Sequence, residues 1–131
     1  MIVADASAIL EMLLRTNAGA LIEQRLLRPG ETIHAPALID VEVARVLRRY
    51  VRRRELTPQR ARAAIDIMVG FPMERYTHEP LLPRIWELRN NITAYDAAYV
   101  ALAEGLRAPL LTCDARLAKA AGIRAVVELI S

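Results

Sequence analysis

Short apolar runs and helical periods alternate along this chain. The opening MIVAD is an apolar run that ends at Asp5, and the helical pattern ASAILEMLLR follows directly. The same order recurs where an apolar run from Pro109 to Thr112 leads to Asp114 and then to ARLAKAAG. Strands that alternate with helices indicate a mainly parallel sheet with helices on both faces. We therefore predict a three-layer α/β/α sandwich.

Turn and cap residues delimit the other predicted elements. The first half of the chain is predicted to contain a helix capped by Asn17 that stops near Pro29 and Gly30, a strand Thr32–Ala35 and a helix beginning at Pro36. A helix capped by Thr57 follows and ends around Gly70, and the extended segment FPMERYTH comes next. The last elements are the helix PLLPRIWELRN, a helix over ITAYDAAYVALAE that ends at Gly105, and a final strand AVVEL. No linker, repeat or low-complexity segment interrupts this order. Residues 1–131 are predicted to form a single domain.

Four carboxylates occupy positions where an isolated acid is unusual: Asp5, Glu42, Asp96 and Asp114. Asp5 and Asp114 follow predicted strands, and ligands of α/β proteins bind beyond the carboxyl ends of the strands. Asp96 is the only charge in TAYDAAYVALA, and Glu42 lies in the apolar spacing of PALIDVEVARVL. A charge on a buried face needs a partner. Because hard oxygen ligands suit Mg²⁺ or Mn²⁺, the four acids predict a metal site suited to phosphodiester hydrolysis.

Each acid also has an ordinary structural interpretation. Asp5 and Asp114 can act as helix N-caps. Asp96 can form a capping box with Thr93, and Glu42 can face solvent if its helix packs differently. These alternatives stay open for each residue taken singly, but the coincidence of four such positions favours one common site.

Composition narrows the classes of function. A hydrophobic content of 54% with 25% charged residues is typical of a globular protein, and no segment is apolar over the length of a membrane span. A cytoplasmic protein is the expectation. The single cysteine, Cys113, is expected to be a buried, inert thiol. The only histidines, His34 and His78, lie in extended segments far from any partner motif, which argues against a zinc hydrolase or a Ser-His-Asp enzyme.

Arginine supplies all but one of the 18 basic residues. Its planar guanidinium group binds phosphate in a bidentate manner, although a general compositional bias would give the same count. Six arginines crowd one helix end in RVLRRYVRRRE, and most such runs are solvated helix faces. The alternative hypothesis is a nucleic-acid backbone held near the metal site by Arg45, Arg48, Arg49 and Arg52.

Taken together, four segments resemble the motifs of the PIN-domain ribonucleases, and within them the VapC toxins of toxin–antitoxin pairs. These segments are IVADASAIL, PALIDVEVARVLRR, ITAYDAAYVALAE and LLTCDARLAKAAG, and WELRNN is also typical of the toxins. The resemblance spans Met1 to Ile130. It implies a PIN-like fold and an acidic Mg²⁺ or Mn²⁺ site that hydrolyses RNA. By the same resemblance the acids of that site are Asp5, Glu42, Asp96 and Asp114, supported by the hydroxyl groups of Ser7 and Thr112.

The resemblance further implies a homodimer and a cognate antitoxin whose C-terminal segment fills a groove near the acids. The apolar helical hairpin around Thr57 can serve either core packing or such an interface. Asp40 competes with Glu42 as the second acid, but a two-residue step turns it about 200° around the helix, so both cannot point at one metal. The family motif favours Glu42.

Two other classes of function compete with the ribonuclease. A phosphoacceptor receiver domain also has acids at strand ends, but it generally has paired acids after the first strand and a lysine near the last. The only lysine here is Lys119, which lies in a predicted helix, so this alternative is poorly supported. A catalytically silent protein-binding module on the same fold is the main alternative, since fold alone does not establish activity. A phosphatase acting on small phosphoesters is a chemical neighbour.

Overall fold

Five short parallel strands form the central sheet of the computed structural model, which describes all 131 residues. The strands are β1 (Ile2–Ala4), β2 (Ile33–Pro36), β3 (Glu74–Tyr76), β4 (Leu110–Thr112) and β5 (Val127–Leu129). Their order across the sheet is β3-β2-β1-β4-β5, and every neighbouring pair is parallel. The first strand therefore lies at the centre, and its carboxyl end opens between those of β2 and β4.

Seven α-helices connect and cover these strands. They are α1 (Ala6–Leu13), α2 (Asn17–Leu26), α3 (Ile39–Arg52), α4 (Pro58–Gly70), α5 (Leu82–Glu87), α6 (Ala94–Leu106) and α7 (Ala115–Ala118), with a 3-10 turn at Glu79–Leu81 before α5. None of them is long and apolar enough to cross a lipid bilayer.

The helices fall into two groups, one on each side of the sheet. Helix α6 packs with α5 and covers β1, β2 and β4, whereas α1 to α4 pack mainly against one another. Strand β1 and most of α6 are buried, so the sheet and this helix form the middle of one hydrophobic core. The arrangement confirms the predicted three-layer sandwich with a parallel sheet.

Several predicted element boundaries were wrong, including the end of α2, which lies at Leu26 and not near Pro29 and Gly30. Helix α2 is capped by Thr16, whose hydroxyl accepts a hydrogen bond from the Gly19 N–H, and Asn17 is the first helical residue. Pro36 is the last residue of strand β2 and does not start a helix. Proline has no backbone N–H, and this position at the strand end does not need one. Helix α6 continues past Gly105 to Leu106, and Arg107 adopts the left-handed conformation that ends it.

The close approach of α1 and α2 depends on Gly19. A Cβ atom at this position would lie 2.0 Å from the carbonyl oxygen of Glu11, a separation that no side chain can have. The two helices therefore pack backbone against backbone at this point.

Candidate active site

Asp5 is buried at the end of β1, with 5% of its surface exposed. One carboxylate oxygen accepts hydrogen bonds from the Ser7 hydroxyl at 2.6 Å and from the Ala8 N–H at 3.0 Å. The other accepts a hydrogen bond from the Thr112 hydroxyl of β4. Asp5 is thus the N-cap of α1, as its structural interpretation proposed, and it also lies between the carboxyl ends of two neighbouring strands, β1 and β4. The two interpretations of this residue are compatible.

Ser7 and Thr112 are themselves fixed by backbone groups. The Ser7 hydroxyl oxygen accepts a hydrogen bond from the Cys113 N–H at 3.0 Å, and that of Thr112 accepts one from the Asp114 N–H at 3.0 Å. Each hydroxyl therefore accepts from the chain that follows β4 and donates to Asp5. This network joins the two strand ends on which the sequence places acids.

Glu42 lies half-buried on α3 and accepts a hydrogen bond from the hydroxyl group of Tyr99. Tyr99 belongs to α6, three residues after Asp96, and is almost fully buried. The alternative in which Glu42 faces solvent does not describe this arrangement. The sequence analysis did not assign Tyr99 to the site. A tyrosine buried in an apolar run needs a partner for its hydroxyl group, and that need is the signal that could have found it.

Asp96 interacts electrostatically with each of the other three acids, and Asp5 also acts directly on Glu42. The charge of Asp96 acts on both Asp5 and Glu42, and the charge of Asp114 acts on Asp96. The N–H of Asp96 donates a hydrogen bond to the Thr93 hydroxyl at 3.1 Å, which makes Thr93 the N-cap of α6. The structure therefore brings all four predicted acids into one electrostatic cluster.

Asp114 lies at the margin of this cluster. It caps α7, and its carboxylate accepts from the Arg116 N–H at 2.9 Å and lies 3.5 Å from the Arg116 side chain. Because that arginine is almost fully exposed, the ion pair is weak. Asp114 is thus the only one of the four acids that forms a salt bridge, since Arg45 and Arg116 act on Glu42 and Asp96 without direct contact.

Burial is the main reason that the pKa values of three acids are raised. It acts against the pKa-lowering hydrogen bonds to Asp5, Glu42 and Asp96, and repulsion between the acids adds to it. None of these three carboxylates forms a salt bridge. All of their direct hydrogen-bond donors are neutral hydroxyl or N–H groups. Arg45 lowers the pKa of Glu42 and Arg116 lowers that of Asp96, but neither arginine forms a salt bridge with these acids, so the cluster remains a concentration of negative charge.

The donor set fits a hard divalent cation bound partly through water. All donors are carboxylate or hydroxyl oxygens, the ligands that Mg²⁺ and Mn²⁺ prefer. No three acidic, histidine or cysteine side chains are grouped closely enough to coordinate one ion by themselves. This spacing is compatible with Mg²⁺, which keeps several waters and takes only one or two carboxylates directly.

Asp40, the competitor of Glu42, is engaged elsewhere. Both of its carboxylate oxygens accept from Arg75 Nε, at 2.9 and 2.8 Å, so it ties α3 to β3. The histidines also lie in other contacts: His34 shares hydrogen bonds with Thr32 and Tyr76, and His78 accepts from the Leu38 N–H. Burial raises the pKa of the Cys113 thiol to about 11, so it is protonated at neutral pH.

The four arginines proposed to bind nucleic acid divide into two pairs. Arg45 and Arg49 follow Glu42 by three and seven residues on α3, which puts them within about 60° of it around the helix. The charge of Arg45 also acts on Glu42. Arg48 and Arg52 instead line an apolar groove between α3 and α4.

Comparison with known proteins decides the family. The PIN-domain family profile matches residues 2–123. Ribonuclease VapC12 of Mycobacterium tuberculosis is 44% identical over 131 residues, covering 100% of both chains, and ribonuclease VapC1 of the same species is 43% identical over 129 residues, covering 98% of this chain and 96% of its own. The chain belongs to the VapC family of PIN-domain proteins. The resemblance predicted from four sequence segments is thereby confirmed.

A solved structure shows the same fold in a VapC-family complex. The crystal structure of VapBC2 from Rickettsia felis, bound to a DNA fragment from its promoter, matches with a TM-score of 0.74 and 15% identity over 100% of both chains. At that identity the similarity concerns the fold alone. It agrees with the parallel sheet and covering helices of the present VapC-family chain.

Proposed function

We propose that this chain is a divalent-metal-dependent endoribonuclease that acts as the toxin of a toxin–antitoxin pair. The observation that carries the proposal is the cluster of Asp5, Glu42 and Asp96, three carboxylates whose charges act on one another and none of which forms a salt bridge. Family membership supports RNA as the substrate, since the similar M. tuberculosis proteins are named ribonucleases.

The residues of the chain prepare this site for a cation. An ionised carboxylate accepts about four hydrogen bonds, and Asp5 already accepts three, from Ser7, Ala8 and Thr112. One acceptor position is left for a ligand, and the carboxylate cannot rotate without breaking these bonds. Glu42 is held by one hydrogen bond and keeps more of its acceptor positions free. We assign direct or water-mediated metal binding to Asp5 and Asp96, with Glu42 and Asp114 orienting waters or a second ion.

A bound Mg²⁺ or Mn²⁺ would supply Lewis acidity and neutralise charge on a phosphodiester. The fixed orientation of Asp5 means that little side-chain entropy is lost when the site is occupied. Arg45 and Arg49, on the same side of α3 as Glu42, would hold the phosphate backbone beside the acids. The proposed partners are an RNA substrate, a second copy of the chain and a cognate antitoxin, and these partners imply a cytoplasmic protein.

Cleavage of RNA by purified, antitoxin-free protein tests the proposal. Total cellular RNA is incubated with Mg²⁺ or Mn²⁺, with EDTA, and with the Asp5→Asn variant. The expected result is a set of discrete fragments that appear only with the unaltered protein and metal. Sequencing of the fragment ends would then identify the target.

The alternative function is a catalytically silent protein-binding module on the same fold. It predicts no cleavage and no effect of Asp5→Asn on partner binding. Metal-dependent hydrolysis of mononucleotides without cleavage of RNA would instead indicate a phosphatase. Either result would contradict the proposed ribonuclease.

A further inference from the structure

The side chain of Tyr99, on α6, contacts the acidic cluster formed by Asp5, Glu42, Asp96 and Asp114. Its hydroxyl group donates a hydrogen bond to Oε1 of Glu42, which lies on a different helix. The ring is 2% exposed, within a helix that is buried from Ala97 to Ala103. No other side chain hydrogen-bonds to Glu42, so this contact alone fixes the direction of its carboxylate.

The hydroxyl group of Tyr99 also lies within the electrostatic range of the other acids. Burial raises its pKa far above the ordinary value, and Glu42, Asp5 and Asp96 raise it further. Burial and the neighbouring acids thus favour the neutral phenol, and its hydroxyl group donates to Glu42. A neutral donor orients a carboxylate and leaves its negative charge in place. An arginine in the same position would neutralise that charge.

The cluster uses neutral hydroxyl donors at more than one acid. Asp5 accepts from Ser7 and Thr112, and Glu42 accepts from Tyr99. Groups that orient metal ligands in this way typically change metal affinity or activity when they are removed. Tyr99 therefore orients the Glu42 carboxylate in the same way that Ser7 and Thr112 orient the Asp5 carboxylate.

We propose that Tyr99 is a positioning residue that holds the Glu42 carboxylate toward a divalent cation at this site, an inference that rests on the proposed function. Tyr99 does not itself touch substrate or metal in this role. It acts through Glu42, and its effect must disappear when Glu42 cannot accept its hydrogen bond.

Mn²⁺ binding measured by titration calorimetry on the purified full chain tests this role without any turnover. Tyr99→Phe removes only the hydroxyl oxygen, and we expect it to weaken Mn²⁺ binding by about 10-fold. Tyr95→Phe is the matched control, because Tyr95 lies on the same helix but is 63% exposed, and its Mn²⁺ affinity should equal that of the unaltered protein. Thermal unfolding of both variants checks that the fold is retained.

A double-mutant cycle separates positioning from general support of the core. In a Glu42→Ala background, the further change Tyr99→Phe should alter Mn²⁺ affinity by less than about twofold. Glu42→Asp provides a second approach if Tyr99→Phe fails to fold, because it keeps the charge and withdraws the carboxylate by one methylene from the Tyr99 hydroxyl. It should weaken Mn²⁺ binding in the same way.

Three results would overturn the inference. Unchanged Mn²⁺ affinity in Tyr99→Phe would remove the role while leaving the ribonuclease proposal intact, provided that the unaltered protein binds Mn²⁺ and cleaves RNA. An equal loss with and without Glu42 would show that Tyr99 supports only the fold. Unaltered protein that neither binds Mn²⁺ nor cleaves RNA would contradict the proposed function itself, and the inference with it.

Discussion

The hydroxyl group of Thr112, at the end of β4, donates a hydrogen bond to the carboxylate of Asp5, just after β1. The two residues meet because β1 and β4 are adjacent parallel strands, with Ala4 paired to Leu111. Asp5 is held by neutral donors and is buried without a cation. Such a carboxylate is oriented for a ligand at a cost to the stability of the ligand-free protein.

Replacing Asp5 by asparagine should abolish RNA cleavage without unfolding the protein. The change keeps the size of the side chain and the acceptor for the Ala8 N–H, but it removes the charge that a cation needs. The loss of activity should exceed the roughly 10–100-fold effect of altering an outer-shell residue. Because burial disfavours the charged form of Asp5, the metal-free variant should melt at or above the temperature of the unaltered protein. Full activity, or a much lower melting temperature, would contradict the assignment.

The metal-free protein should be more stable at mildly acidic pH than at neutral pH. Chiefly because of burial, the folded-state pKa values of Asp5, Glu42 and Asp96 lie above their ordinary values of 3.8, 4.5 and 3.8. Between the ordinary and the raised values the folded protein holds protons that the unfolded chain has released. The free energy of unfolding therefore falls as pH rises through the raised pKa values.

Urea unfolding in EDTA from pH 4.5 to 7.5 measures this slope. Asp5→Asn should flatten it, and Mn²⁺ should restore stability at pH 7.5 by binding the folded state. Glu104 acts in the opposite sense: burial would raise its pKa, but hydrogen bonds from Arg84 and the Arg124 N–H lower it, so its contribution is lost only in more acidic solution. Stability that rises steadily to pH 7.5 in the unaltered, metal-free protein would contradict the prediction.

The order of the elements and the grouping of the acids could be predicted from local sequence patterns. The hydrogen-bond partners of the acids could not. Asp5 and Asp114 could be predicted at one sheet edge because parallel strands end on the same side. The Tyr99–Glu42 contact joins residues 57 positions apart on two helices, and no local spacing encodes it. The cap of α2 was wrongly placed at Asn17 because Thr16 and Asn17 are both good cap residues, and in the structure it is the Thr16 hydroxyl that accepts from the Gly19 N–H.

Replacing Asp40 by asparagine should leave most of the activity intact. Asp40 receives the Arg75 Nε–H and is 45% exposed, so it joins α3 to β3 outside the acidic cluster. The loss of this pair should cost about 0.5–1 kcal/mol of stability, the upper range for exposed ion pairs. Glu42→Gln is the matched variant on the same helix and should lose most of the activity. Initial rates on a short RNA and urea unfolding measure the two effects, and an equally deep loss in both variants would reject Glu42 as the second acid.

The two arginine pairs of α3 should affect RNA binding differently. Arg45 and Arg49 lie near the face that carries Glu42, whereas Arg48 and Arg52 line the α3–α4 groove. Each phosphate contact to single-stranded RNA contributes about 0.7 to the slope of log affinity against log salt. Loss of the first pair to alanine should therefore reduce that slope by about 1.4.

Fluorescence anisotropy of labelled RNA at several KCl concentrations measures the slope, with Asp5→Asn in every protein to prevent cleavage. The Arg48→Ala, Arg52→Ala protein is the control, since it removes the same charge from the same helix. Its slope should stay close to that of the parent, because its arginines border an apolar groove and not the acids. If both double substitutions reduced the slope equally, RNA binding would depend on the net charge of α3 and not on the helix face that carries Glu42, which would contradict the prediction.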